Sequence, residues 1–348
     1  MYAVLVILMA ASFFRCIWHT IFDPGFIGHL PGGKHASEQG TWSRPSPWQT
    51  PRITRPPPPI EDFYDQDFFV CDAQGKPIWC PKCQIWKPDR ARHSGEFGRC
   101  IRRFDHYCPW VGGLVAERNF KFFIQFSTYA AVFSFLSLVV AAYFLGSGDV
   151  YRTRRTIHLS VTVGLAVFFM FLAGGTALSA ILLAAMNLTT LDNIHQKETV
   201  WQIAVSTEMS EQSEQSRALP KITAPSGVHG SRTFTVLQLP PGCNPFDAGI
   251  TENLKQVLGM HWSHWFLPLR NSPLCHPVVG GKSDDDHPCA TFPCIEEVKE
   301  AAGLGSMTPQ MRSACDRIRK RQRRFPQLLA AAGAPLKTVK ARRSGGQR

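Results

Sequence analysis

Apolar residues in this chain gather into three runs: Tyr2 to Ile21, Phe122 to Leu145 and Ile157 to Met186. The second and third contain no Asp, Glu, Lys or Arg. At about 1.5 Å of rise per residue, each is long enough to cross a hydrocarbon layer of roughly 30 Å. Both are predicted to be transmembrane helices. The first run, within "MYAVLVILMAASFFRCIWHTIF", carries Arg15 and His19 near one end, where a long side chain is expected to snorkel to the interface. No charged leader precedes it and no small-residue cleavage site follows, which favours a membrane span over a signal peptide.

Between and beyond these runs the pattern changes. "DPGFIG" stops the first helix, and residues 31–60, rich in Pro, Gly and Ser and ending in "RPPPPI", read as an extended linker. Residues 206–232 are polar and expected to be loose. "FTVLQL" then alternates like a strand. In "DAGITENLKQVLG", Ile250, Leu254, Val257 and Leu258 share one helical face ahead of a stop at Gly259. The rings of "HWSHWFLPL" suit a membrane interface, and no periodicity follows Asn271.

The formal charge of +12 sits mainly before Phe122 and in the tail segments "RIRKRQRRF" and "KARRSGGQR". In a membrane protein such clusters mark the cytoplasmic side, facing anionic lipid, better than they mark nucleic-acid binding. Arg152, Arg154 and Arg155, in the loop between the two strong spans, weaken that assignment. Four of the eleven cysteines fall between positions 80 and 108, in a segment assigned to the reducing cytosol, so metal binding or nucleophilic chemistry is favoured over cystine.

That segment reads "WCPKCQIWKPDRARHSGEFGRCIRRFDHYCPWVGGLVAERNFKFF". Cys80 and Cys83 form a C-x2-C knuckle that can present two thiolates to one tetrahedral ion. His93 and Cys100 complete a closed Cys3His zinc site, the structural type, which is favoured over ordinary buried thiols. Cys108 is left over, two residues after His106 and three after Asp105. A thiol is nucleophilic only as thiolate, an imidazole can deprotonate it, and a carboxylate can orient the imidazole. "DHYC" alone is a weak signal. Its place in a zinc-braced segment, just ahead of a membrane helix, puts the thiol where it can meet a lipid-tailed thioester.

These motifs resemble the DHHC protein S-acyltransferases, or palmitoyltransferases. The likeness covers residues 80–123 and continues in "DPG" at 23–25, "TTLD" at 189–192 (a TTxE pattern with Asp192 for the glutamate) and "NPFDAGITENLKQVLG" at 244–259, where Asn253 matches a structural asparagine. The resemblance implies a polytopic α-helical membrane protein with a small zinc-binding Cys-rich cytosolic domain inserted between transmembrane helices. It implies Cys108 as the acylated nucleophile, His106 as general base, Asp105 as its polariser, and Cys80, Cys83, His93 and Cys100 as one zinc site. The family's second zinc site maps to Ser94, Phe97, Tyr107 and Leu114. With all four ligands replaced, one zinc is expected and apolar bulk from Phe97, Tyr107 and Leu114 is expected to stand in for the other. DHYC variants occur among fungal members of the family.

The function implied is transfer of a long-chain acyl group from acyl-CoA through acyl-Cys108 to membrane-proximal cysteines of target proteins. The alternative is a catalytically silent zinc-bearing membrane scaffold of the same family; a RING-like ligase would need two cross-braced sites. The expected order is a span at 1–22, equivalent to the family's second; a linker at 23–69; the Cys-rich domain at 70–120; spans at 121–146 and 157–186; a cytosolic region at 187–270; and a mostly disordered basic tail at 271–348. Either the family's first span is missing from this sequence, which is the favoured reading, or the protein has three spans. Asn187, in "NLT", fits a glycosylation acceptor but falls at the cytosolic end of a span. His287, Cys289 and Cys294 are too loop-like to read as a further metal site.

Overall fold

The computed structural model describes residues 2–27, 59–147, 153–195, 200–206, 220–227, 230–239 and 244–275. Most of the Pro-rich linker, the basic tail and the His287, Cys289 and Cys294 group lie outside the described residues. In chain order come α1 (Tyr2–Phe22), α2 (Glu61–Tyr64) and β1 (Phe68–Val70). The Cys-rich segment supplies β2 (Trp79–Cys80), β3 (Ile85–Trp86), β4 (Arg92–Ser94), β5 (Arg99–Ile101), β6 (His106–Cys108) and β7 (Gly113–Val115). Then follow α3 (Phe120–Gly146), α4 (Thr153–Ala185), α5 (Thr190–His195), β8 (Gln202–Ser206), β9 (Lys221–Ser226), β10 (Gly230–Gln238), α6 (Ile250–Leu258) and α7 (Trp262–Phe266).

α1, α3 and α4 are long and apolar enough to cross a membrane, with mean hydropathies of 1.8, 1.9 and 2.2. α3 packs along both α1 and α4. Against α1 it runs antiparallel: Phe13 meets Phe126 at 4.8 Å between ring centroids, and Tyr2 meets Phe133 at 5.7 Å. α4 begins a turn ahead of its apolar run, because a backbone hydrogen-bond ladder does not stop where hydropathy does. It ends where Asn187 takes a left-handed φ of 50°, and Leu188 N–H donates to Leu183 O at 2.9 Å.

The Cys-rich segment folds as three two-stranded ribbons, β2–β3, β4–β5 and β6–β7. So little chain cannot bury a large core, and ligand clusters or borrowed apolar contacts must hold the ribbons. α1 is tied to them through the DPG turn. Asp23 Oδ1 accepts from Gly25 N–H (2.9 Å) and Phe26 N–H (3.0 Å), while its Oδ2 pairs with Arg118 at 2.7 Å. Gly25 has φ of +125°, and a Cβ there would meet Arg102 O at 3.4 Å, so the turn requires glycine.

Of the segment expected to be loose, 206–232, residues 221–226 and 230–232 are strands, while 207–219 and 228–229 lie outside the described residues. β1, β8, β10 and β9 lie in that order, all antiparallel, with Phe69 opposite Ala204 and Val236 opposite Ala204 on the other side. One face packs Val70, Ile203, Val205, Leu237 and Leu239 with Phe246; the other packs Phe69, Phe234 and Val236 on Phe63 and Tyr64. Polar composition concealed these strands because β9 is an edge strand that exposes Lys221, Thr223 and Pro225. In α6, Val257 and Leu258 are buried and Leu254 packs beside them, while Ile250 remains 44% exposed.

Candidate active site and metal centre

The knuckle places Cys80 and Cys83 at the base of β2–β3, and β4–β5 sets His93 directly across from Cys100. The ligand atoms of these four residues all lie within 4.8 Å of one another. Cys83 Sγ is 3.2 Å and Cys80 Sγ 3.7 Å from His93 Nδ1. Bonds of about 2.3 Å to sulfur and 2.0 Å to nitrogen around a tetrahedral ion require ligand atoms less than about 4 Å apart. The cluster needs only slight contraction to meet that, and its donor set fits zinc. Hydrogen bonding between Cys83 and Cys100 draws the Cys83 thiol down and pushes the Cys100 thiol up, so the two share a proton at close quarters.

The second set does not fit a metal. Ser94 and Leu114 are buried, and Leu114 packs with Phe26, Ile101 and Ala116, flanked by Phe97 and Phe104. No thiol or imidazole occurs among the four mapped residues. The expectation that Tyr107 fills this space is corrected: its side chain is 49% exposed although it lies opposite Leu114 in β6–β7. Phe26, delivered by the DPG turn, takes that place, with its ring 5.9 Å from Phe97.

β6 carries His106 and Cys108, and a 3-10 turn at Pro109–Val111 caps the strand. Cys108, 5% exposed, lies in the cluster that also contains Cys16, Val111, Phe120, Phe123, Ala184 and Val257. The thiol therefore sits where the ribbons meet the ends of the membrane helices. His106 Nδ1 is 2.6 Å from Asp105 Oδ2. Asp105 is itself buried; its Oδ1 accepts from Thr190 N–H at 2.7 Å and its Oδ2 from Thr190 Oγ1–H at 2.9 Å. With three donors the carboxylate has one orientation, and the imidazole follows it.

The electrostatics agree. Burial opposes charging His106, yet hydrogen bonds with Asp105 and then Cys108 carry the imidazole up to about 9. Burial likewise opposes the Cys108 thiolate, but His106 and the backbone N–H groups of Trp110 and Val111 hold the thiol below its ordinary range. Both shifts favour a thiolate beside an imidazolium, the form in which a cysteine is nucleophilic.

Sequence reasoning reached Thr189, Thr190 and Asp192 only through the family likeness, and passed over Arg90 and Arg92 behind them. Asp192 pairs with Arg90 at 2.9 Å and Arg92 at 2.7 Å. Burial would raise its carboxyl, but the two guanidiniums, Arg90 foremost, more than reverse this and hold it well below the usual carboxylate range. Asp192 Oδ2 accepts from Thr189 N–H, and Asp192 N–H donates back to Thr189 Oγ1 at 3.0 Å. This reciprocal cap starts α5 and fixes Thr190 against Asp105. Arg90 also reaches Asn187 Oδ1 and O, both at 2.9 Å. Asn187 donates through Nδ2 to Phe246 O and Gln256 Oε1, so this acceptor motif is buried and engaged. Asn253 donates to Ala185 O (2.8 Å) and Asp247 Oδ1 (2.7 Å), tying α6 to the end of α4.

Residues 73–197, which hold the Cys80–Cys83–His93–Cys100 cluster, the Asp105–His106–Cys108 unit and two apolar helices, match the family model for DHHC palmitoyltransferases. The chain belongs to the DHHC palmitoyltransferase family. It is 35% identical to palmitoyltransferase pfa5 of Aspergillus fumigatus over 70% of this chain and 58% of that one. It is 32% identical to palmitoyltransferase pfa5 of Emericella nidulans (75% and 59%), and 31% identical to palmitoyltransferase PFA5 of Kluyveromyces lactis (70% and 64%). The chain thus spans about three fifths of the length of these curated relatives. Its three apolar helices and its family together make it a polytopic integral membrane protein.

Proposed function

We propose that this DHHC-family chain is a protein S-palmitoyltransferase working through an acyl-Cys108 intermediate. The observation that carries the reading is the Cys108–His106–Asp105 unit, with His106 held 2.6 Å from a buried carboxylate and the thiol at the end of the membrane helices. In the first half-reaction the Cys108 thiolate attacks the thioester carbonyl of acyl-CoA. The C–S bond to CoA breaks, and the leaving thiolate takes the proton held by His106. In the second, a target cysteine gives its proton to His106, attacks acyl-Cys108, and regenerates the thiolate–imidazolium pair. An acyl chain lying among the helices gains about 0.8 kcal/mol per buried CH2, which favours long chains.

One structural zinc on Cys80, Cys83, His93 and Cys100 braces the ribbons, and the apolar packing around Leu114 serves where the family has its second ion. The site faces the cytosol, a placement supported by the cluster's need for reduced thiols and by the basic residues preceding α3. Its substrates are long-chain acyl-CoA and protein cysteines near the membrane surface. A catalytically silent scaffold would not need a thiolate held beside an oriented imidazolium. The test is acyl-CoA labelling of purified, membrane-reconstituted protein. A hydroxylamine-sensitive label that is lost in Cys108→Ser and kept in Cys71→Ser is expected. An unlabelled wild-type protein with its metal bound would leave the scaffold reading.

A further inference from the structure

After α6 the chain turns at Gly259, where φ is +118°, and runs through α7 to Asn271. Two observations about this stretch belong together. Between His261 and Arg270, which are exposed at its two ends, its exposed side chains are large and apolar: Trp262 is 76% exposed, Phe266 58%, Leu267 42% and Leu269 70%. Its backbone carbonyls, in contrast, are taken by polar side chains of the membrane helices. Gln125 Nε2 donates to His264 O (3.2 Å) and Trp265 O (3.0 Å), and the Tyr129 hydroxyl donates to Phe266 O. Arg15 Nη1 donates to Pro268 O at 3.0 Å and to Leu269 O, and its Nη2 to Asn271 Oδ1 at 2.8 Å. Arg15 thus makes three hydrogen bonds to this stretch. It lies over the Phe122 ring, 4.6 Å from the centroid, and points at the C-terminal stretch.

Water satisfies carbonyls on an aqueous surface without help from a membrane helix. In hydrocarbon an irregular backbone persists only where protein donors replace water. The depth agrees with that reading. α3 has 27 residues and is about 40 Å long, exceeding a hydrocarbon core of roughly 30 Å by only some 10 Å. Shared between the two ends, that excess puts the hydrocarbon boundary near Phe123, with Gln125 and Tyr129 beyond it. Phe266, held by Tyr129, lies at the same level. On its inner side the stretch is pinned by Trp265, whose Nε1–H donates to Gly259 O at 2.8 Å and whose ring packs against the cluster containing Cys108.

We propose that residues 262–269 form a strap embedded in the lipid bilayer, with His261 and Arg270 at its polar ends, clasped to α1 and α3 by Arg15, Gln125 and Tyr129. Trp262, Phe266 and Leu269 are its lipid-facing surface, and Trp265 is its contact with the wall around Cys108. The partner is the acyl-chain region of phospholipid. Arg15, over the Phe122 ring, then sits at the boundary itself, where carbonyl dipoles and an aromatic face hold its charge beside the strap.

The test uses the full chain in phosphatidylcholine vesicles doped with a phosphatidylcholine bearing a diazirine in its acyl chain, with peptide mapping after illumination. The expected result is lipid adducts on the 262–269 peptide as well as on α3 and α4. In Arg15→Leu and in Tyr129→Phe the strap adducts should fall about tenfold, as loss of a strong hydrogen bond implies. The α4 adducts and the metal content should stay unchanged and so report an intact fold. Adducts on α3 and α4 but none on the strap in the wild type would overturn the proposal. Strap adducts that persist undiminished in both variants would overturn the clasp. No outcome depends on acyl transfer.

Discussion

Replacing Asp105 by Asn keeps the shape of the side chain and removes the charge that faces His106 at 2.6 Å. In the native site the imidazole rises from its ordinary 6.5 to about 9, an interval equivalent to about 3 kcal/mol in favour of the imidazolium. Asp105 is the larger of the two favourable contributors, Cys108 the other. The sign of the effect follows from the two limits of the ion pair. Below the depressed value of Cys108 the thiolate is protonated, and above about 9 His106 loses its proton. In Asp105→Asn the upper limit moves back towards 6.5 and the thiol moves up towards its ordinary 9.0. The window closes from both sides. If Asp105 supplies about half of the interaction, the rate of Cys108 alkylation near neutral pH falls about tenfold and recovers as the pH is raised through the new thiol value. The assay is iodoacetamide alkylation across pH, read by mass spectrometry on the Cys108 peptide, with buried Cys71 as internal reference. A profile that superimposes on that of the wild type would refute the coupling, whatever the variant does to acyl transfer.

Three other outcomes are expected. Purified protein carries close to one zinc per chain, and Cys100→Ser releases it; a metal analysis near two per chain would overturn the reading of Ser94, Phe97, Tyr107 and Leu114. Leu114→Ala, in the covered cluster with Phe26 and Ile101, lowers stability by about 2–5 kcal/mol. Tyr107→Ala, at a half-exposed position, changes it by less than about 1 kcal/mol; denaturant unfolding followed by Trp fluorescence separates the two, and equal losses would contradict the packing. Asp192→Asn leaves Arg90 and Arg92 without their carboxylate, and breaking such a buried pair costs about 3–5 kcal/mol. It should lower the Tm and slow acylation, because α5 no longer presents Thr190 to Asp105; an unchanged Tm would sink this.

Much of the molecule could be read from the chain because the deciding interactions are local. A run without charge, such as Phe122 to Leu145, must be helical in lipid whatever surrounds it, since only a helix satisfies its own backbone there. C-x2-C spacing brings Cys80 and Cys83 to one point through a single turn, and Asp105, His106 and Cys108 are close by covalent geometry alone. Tertiary structure decided what depends on residues far apart in sequence. β1 finds β8 across 131 intervening residues (71–201), and neither strand announces its partner, since pairing is set by register and burial on both faces. Arg90 and Arg92 reach Asp192 only because α4 returns the chain to the ribbons. Leu114 is covered and Tyr107 exposed because Phe26 arrives from the end of α1. Hydropathy placed Arg15 at a membrane edge; only the packed structure shows which carbonyls it holds, because a guanidinium in apolar surroundings goes where unpaired acceptors are, and no local pattern records where those lie.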